Sequence, residues 1–171
     1  MILQFPVQDN ARPERSERSL NESVARARRE HEILKLELKN LFERARAIRG
    51  VSESRTFHRE LGQLHDDMKN FLNDLKKHSA WEDAELYPFA VSRLGADPDL
   101  YELMVLEYEP AERRILSCLK LLESKDRPAC REDAQALSAS VIQACAVLNN
   151  RLLEEDELMA ELEENGRQKS T

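Results

Sequence analysis

The chain has 171 residues, enough for one well-buried domain with no need of a second. It is 35% charged and 41% hydrophobic, with 4 glycines and 5% aromatic residues, which favours packed helices over sheets. A formal net charge of -7 argues against a nucleic-acid binder, and Arg26, Arg28 and Arg29 alternate with glutamates as on a solvated helix face.

Residues 1–18 carry two prolines and dense charge, and read as a tail that is flexible or docks through Ile2, Leu3 and Phe5. The start MILQFPVQDN has no basic segment followed by a long apolar one, so it does not read as a signal peptide. Ser19 followed by Glu22 forms a capping box, which places the start of the first helix there. Its apolar seam is Val24, Ala27, His31, Leu34, Leu38, Leu41, Ala45 and Ile48, and Gly50 closes it. The second helix is expected from about Ser54 to Leu94, with Gly95 as terminator and Pro88 either kinking it or ending it locally. Its seam is Phe57, Leu61, Leu64, Met68, Phe71, Leu75, His78, Glu82, Leu86 and Phe89.

Asp97 and Pro98 cap a third helix with the seam Tyr101, Met104, Tyr108, Ala111, Ile115, Cys118 and Leu122. A fourth begins near Pro128 and ends at Asn165–Gly166, with Leu137, Val141, Ala144, Leu148 and Leu158 inward. Four helices with short joins and one apolar stripe each predict an all-α, antiparallel up-down four-helix bundle over residues 19–165, followed by a disordered 166–171. No apolar run approaches the ~20 residues of a membrane span. The odd set Cys118, Cys130 and Cys145 lacks a CxxC pair and fits a reducing cytoplasm.

Polar residues interrupt these stripes. His31 lies in the first seam, His78 and Glu82 one turn apart in the second, and Tyr108 in the third. The stretch HSAWEDAELYP at 78–88 is echoed 72 residues later by NRLLEEDELMA, which aligns Glu82 with Glu154 and His78 with Asn150. Buried carboxylates need a partner or a cation. A His-x-x-x-Glu pair sits about 5–6 Å apart on one helix face, so both side chains reach one ion. Imidazole and carboxylate donors together suit iron, zinc or manganese. His58 and His65 stand beside the seam, about 30 and 20 Å from His78 along the axis, and read as flanking residues.

These residues resemble the hemerythrin-like (HHE cation-binding) family over roughly residues 20–164. His31 in EHEILKLEL, and His78 and Glu82 in HSAWEDAELYP, match that family's first hairpin. EYEPAERRI and NRLLEEDELMA follow the second hairpin in frame, with Tyr108 and Asn150 in its histidine positions. The resemblance implies a non-haem metal site of His31, His78, Glu82 and Glu154, with Tyr108, Glu112 and Asn150 as further candidate ligands or lining. It implies iron, mononuclear or as an asymmetric pair, a small diatomic ligand, and a role in iron handling or in oxygen, nitric oxide or redox-stress sensing.

The alternative is a metal-free bundle whose histidines pair with Glu82 and Glu154, acting as a protein-binding or regulatory module with a protein partner or as a homodimer. No nucleophile triad or general base faces an evident substrate pocket, which argues against enzymatic turnover.

Overall fold

The computed structural model describes residues 12–169, which are mostly helical and contain no strand. Four long helices are present: α1 (Arg12–Ile48), α2 (Ser54–Trp81), α3 (Pro98–Glu123) and α4 (Gln135–Lys169). Helix α1 packs along α2 and α4, and α3 packs along the same two. All eight positions of the α1 seam, from Val24 to Ile48, are buried. On α2 the seam is buried from Phe57 to Leu75 and on through His78 and Glu82. None of these helices is long and apolar enough to cross a membrane.

Three boundaries differ from those expected. Helix α1 begins at Arg12 instead of Ser19, because Pro13 falls in the first turn, where its missing N–H costs nothing. The proposed docking residues Ile2, Leu3 and Phe5 lie outside the described residues. Helix α4 begins at Gln135, since residues 131–134 form turns, and it runs through Asn165 and Gly166 to Lys169. Gly166 is no terminator: it is buried, and a β-carbon there would stand 2.8 Å from Leu20 Cδ2. It is the glycine that lets the last turns of α4 come close to α1.

Pro88 does not end its helix. The chain continues from α2 through a widened, π-helical stretch at Glu82–Leu86, a regular turn at Tyr87–Phe89, and a second π-helical stretch at Ala90–Leu94. A proline ring clashes with the carbonyl four residues back in a regular helix, and a wider turn relieves that contact. The widening also brings residues five apart onto one face, and the Tyr87 N–H donates to the Glu82 carbonyl. Gly95, at φ 72, then ends the run in the left-handed region. Asp97 caps α3 by accepting from the Asp99 N–H at 3.0 Å.

The apolar interior comes in two blocks. The larger gathers Leu34 to Ile48 of α1 with Phe57 to Leu75, Ala111 to Leu122 and Ala134 to Leu152. The smaller gathers Leu20, Val24, Ala27, Trp81, Leu86, Ala90, Tyr101, Met159 and Leu162. His31 lies in sequence between Ala27 of the smaller block and Leu34 of the larger, and His78 between Leu75 and Trp81. A polar layer therefore divides the core.

Glu37 of α1 has a buried Oε2 without a hydrogen-bond partner. Burial first, then the charges of Asp74 and Asp67 on α2, push its carboxyl from an ordinary 4.5 up to about 7. The folded state thus binds more protons than the unfolded one between these values, and stability falls as pH rises through that window. Glu37→Gln is expected to match the wild-type melting temperature near about pH 5 and exceed it near about pH 8. Gly62, in the middle of α2, has nothing within 4 Å of a built β-carbon. Gly62→Ala should therefore deliver the helix-propensity gain of about 1 kcal/mol in urea unfolding. Gly166→Ala should deliver clearly less, because Leu20 must move.

Candidate metal centre

The structure brings His31, His78 and Glu82 together, as expected from the sequence, but the fourth member is Glu155. Glu154 and Asn150 are exposed. The reason is register. The seam of α4 runs Val141, Ala144, Leu148, Leu152, Glu155, Met159 and Leu162, all buried, and Glu154 falls one residue off it. The structural repeat is therefore offset by 73 residues, not 72, and it aligns Glu82 with Glu155 and His78 with Arg151.

Nε2 of His31 and Nε2 of His78 face each other at 3.0 Å. Glu82 Oε1 lies 2.9 Å from His78 Nε2 and 3.5 Å from His31 Nε2, and Glu155 Oε2 lies 3.3 Å from His31 Nε2. One donor atom from each of the four residues falls within 4.8 Å of the others, and all four residues are buried.

Each side chain is tied on its outer atom, while the inner atoms face one another. His31 Nδ1 bonds Asp156 Oδ1 at 2.6 Å, and His78 Nδ1 bonds Glu30 Oε2 at 2.7 Å. The Tyr87 hydroxyl donates to Glu82 Oε2 at 3.1 Å, an i to i+5 contact along the widened turn. Arg151 Nε donates to Glu155 Oε1 at 2.7 Å. The inward oxygens, Glu82 Oε1 and Glu155 Oε2, make no well-directed hydrogen bond and face only the imidazole nitrogens. The outer ties are themselves anchored: Lys35 bonds Asp156, and Arg26, stacked 4.1 Å over Trp81, bonds Glu30 at 2.8 Å.

The field at this point favours positive charge. Burial opposes an imidazolium at His31, but Glu155, Glu82 and Asp156 outweigh it and carry His31 up to about 10. His78 is raised despite its burial by Glu82 and Glu30, with His31 opposing. Burial would raise Glu82, yet the two imidazoles hold it well below its ordinary value. With neutral imidazoles, the cluster, its bonded partners and the partners of those hold five carboxylates (Glu30, Glu82, Glu112, Glu155, Asp156) against three cations (Arg26, Lys35, Arg151). Two negative charges are left over, and either protons or a divalent ion can balance them.

The other expected residues sit around Arg151. Tyr108 is buried with an unpartnered hydroxyl, and its ring lies 5.8 Å from the Arg151 guanidinium. Glu112 accepts from Arg151 Nη1 at 2.6 Å. His58 is exposed, and His65 bonds Asp66 and Glu123 at the surface, both at 2.9 Å. Cys118 and Cys145 are buried free thiols, and Cys130 is an exposed one. Sequence reasoning set Glu154 inward with Glu155 as its nearest competitor, and missed the four outer partners Glu30, Tyr87, Arg151 and Asp156. For Glu155 the signal was present, since the 3-4 spacing continued from Leu148 reaches 152, 155 and 159.

A surface cavity of about 250 Å3, lined by Arg26, Glu30, Ile33, Leu34, Asp74, Lys77 and His78, opens between α1 and α2 and reaches His78. It brings solvent-accessible space up to His78. Compared with known proteins, the chain matches no protein-family model, no curated protein and no solved structure.

Proposed function

We propose that the chain is a metal-binding protein of the hemerythrin-like kind, an antiparallel up-down bundle that holds a non-haem ion among His31, His78, Glu82 and Glu155. The observation that carries this reading is the set of four buried donors, each fixed on its outer atom with its inner atom aimed at a common point. Imidazoles with Nδ1 tied to a carboxylate are oriented and made more basic at Nε2, as around known metal ions. Ligands at about 2.0–2.2 Å from one ion stand roughly 3–3.5 Å apart, close to the spacings among these nitrogens and oxygens. A divalent ion would also balance the two leftover negative charges.

Two nitrogens and two carboxylate oxygens suit iron, zinc and manganese, and the resemblance favours iron. Bound there, the ion would supply a Lewis-acidic centre able to take a small diatomic ligand. The chain's own part is to orient the donors, to exclude bulk water with the two apolar blocks, and to admit small solutes along the cavity at His78. This supports a cytoplasmic role in iron handling or in sensing oxygen, nitric oxide or redox stress. It gives less support to reversible oxygen carriage, since the second repeat lacks both histidines.

Anaerobic reconstitution with ferrous iron followed by elemental analysis is expected to give one ion per chain. His78→Ala and Glu82→Ala should abolish uptake, and Glu154→Gln should leave it unchanged. A wild-type protein that takes up no stoichiometric iron, zinc or manganese would overturn the reading in favour of a metal-free regulatory module. Asp156→Asn and Glu30→Gln should keep the stoichiometry but weaken affinity by about 10–100-fold, as measured by competition with a chelator.

A further inference from the structure

The α2 run and α4 are related position by position. Met68, Phe71, Leu75, His78, Glu82 and Leu86 have buried counterparts 73 residues on, in Val141, Ala144, Leu148, Arg151, Glu155 and Met159. Five of these pairs keep their chemical class, apolar with apolar or carboxylate with carboxylate. The sixth sets a neutral-capable imidazole against a permanent cation.

Arg151 is 6% exposed and uses all three guanidinium nitrogens. Nε donates to Glu155 Oε1 at 2.7 Å, Nη1 to Glu112 Oε1 at 2.6 Å, and Nη2 to Ser79 Oγ at 3.1 Å. Glu155 thus turns one oxygen to the four-donor cluster and the other to the guanidinium. The Tyr108 hydroxyl, buried and unpartnered, belongs to the residue over which this guanidinium lies. Two carboxylates and a serine hydroxyl, with the Tyr108 ring alongside, make a surround suited to a cation, and the cation in it is covalently part of the chain.

We infer that Arg151 is a built-in substitute for a second metal ion: it occupies a latent cation site beside the first and limits the protein to one ion. Guanidinium cannot be deprotonated in a protein, so this charge is fixed and no metal displaces it by taking a proton's place. The count of one rests on the metal-binding reading above, whereas the latent site does not.

The test is a Co(II) titration of wild type, Arg151→Lys, Arg151→His and Arg151→Gln, followed by visible absorption and elemental analysis. Each protein is also refolded with Co(II) present, so that a variant that folds only around the ion is still scored. Wild type and Arg151→Lys, which keep the cation, are expected to hold one equivalent. Arg151→His and Arg151→Gln, which free Glu112 and Glu155, are expected to hold two. In Arg151→His combined with His78→Ala, one equivalent should remain, now at the latent site. If wild type binds none while Arg151→His binds one, the proposed function fails and this inference stands. It is overturned if neither neutral variant gains an ion over wild type in any state, or if wild type itself holds two.

Discussion

A layer of charge is buried across the middle of a mostly apolar interior, and the surrounding residues are arranged to make it tolerable. Removing one partner from a buried ion pair typically costs about 3–5 kcal/mol, because the survivor is left unpaired and dry. The layer contains Glu82 and Glu155 with exposures of 0% and 1%, so neither carboxylate can fall back on water. Their compensation comes from different sources. Glu82 is held by two imidazoles and a tyrosine hydroxyl, and Glu155 by an imidazole and a guanidinium.

The local irregularities of the fold can be read from that requirement. The widened stretch after Trp81 accommodates Pro88 and, in the same step, sets the Tyr87 hydroxyl over Glu82. In a regular helix, residues five apart diverge around the axis and this contact would open. The tie that turns Glu82 Oε1 inward thus depends on a backbone feature whose sequence cause lies six residues away. On the opposite wall, Arg151 and Glu155 are one regular turn apart and need no such device.

The helices and three of the four central residues were legible because burial follows the 3.6-residue period, and His31, His78 and Glu82 stand in unbroken apolar seams. Glu155 was obscured by a competing signal: the echo of HSAWEDAELYP in NRLLEEDELMA pairs letters best at an offset of 72, whereas packing repeats at 73. A one-residue slip rotates a helix position by about 100°, enough to exchange the exposed Glu154 for the buried Glu155. The outer ties were not legible for another reason. Glu30 and Asp156 look like members of solvated charge runs, and only the juxtaposition of α1 with α2 and α4 gives them imidazole partners. The outer ends of α1 and α4 were misjudged because Ser19 and Gly166 resemble caps, although Gly166 is small in order to let two helices approach.

The division of the core into two apolar blocks has a mechanical consequence. The smaller block joins the first turns of α1 to the last turns of α4 and to the α2–α3 connection, the parts of the chain nearest to its ends and to its widened turns. Side chains of the two blocks are separated by a layer held together electrostatically, so the smaller block is suited to open as a cooperative unit while the larger one stays folded. Such an opening would uncover His31 and His78 without global unfolding. A cation that binds only the closed form would suppress it by mass action, so the occupancy of a few buried atoms would set how often that whole end of the molecule breathes.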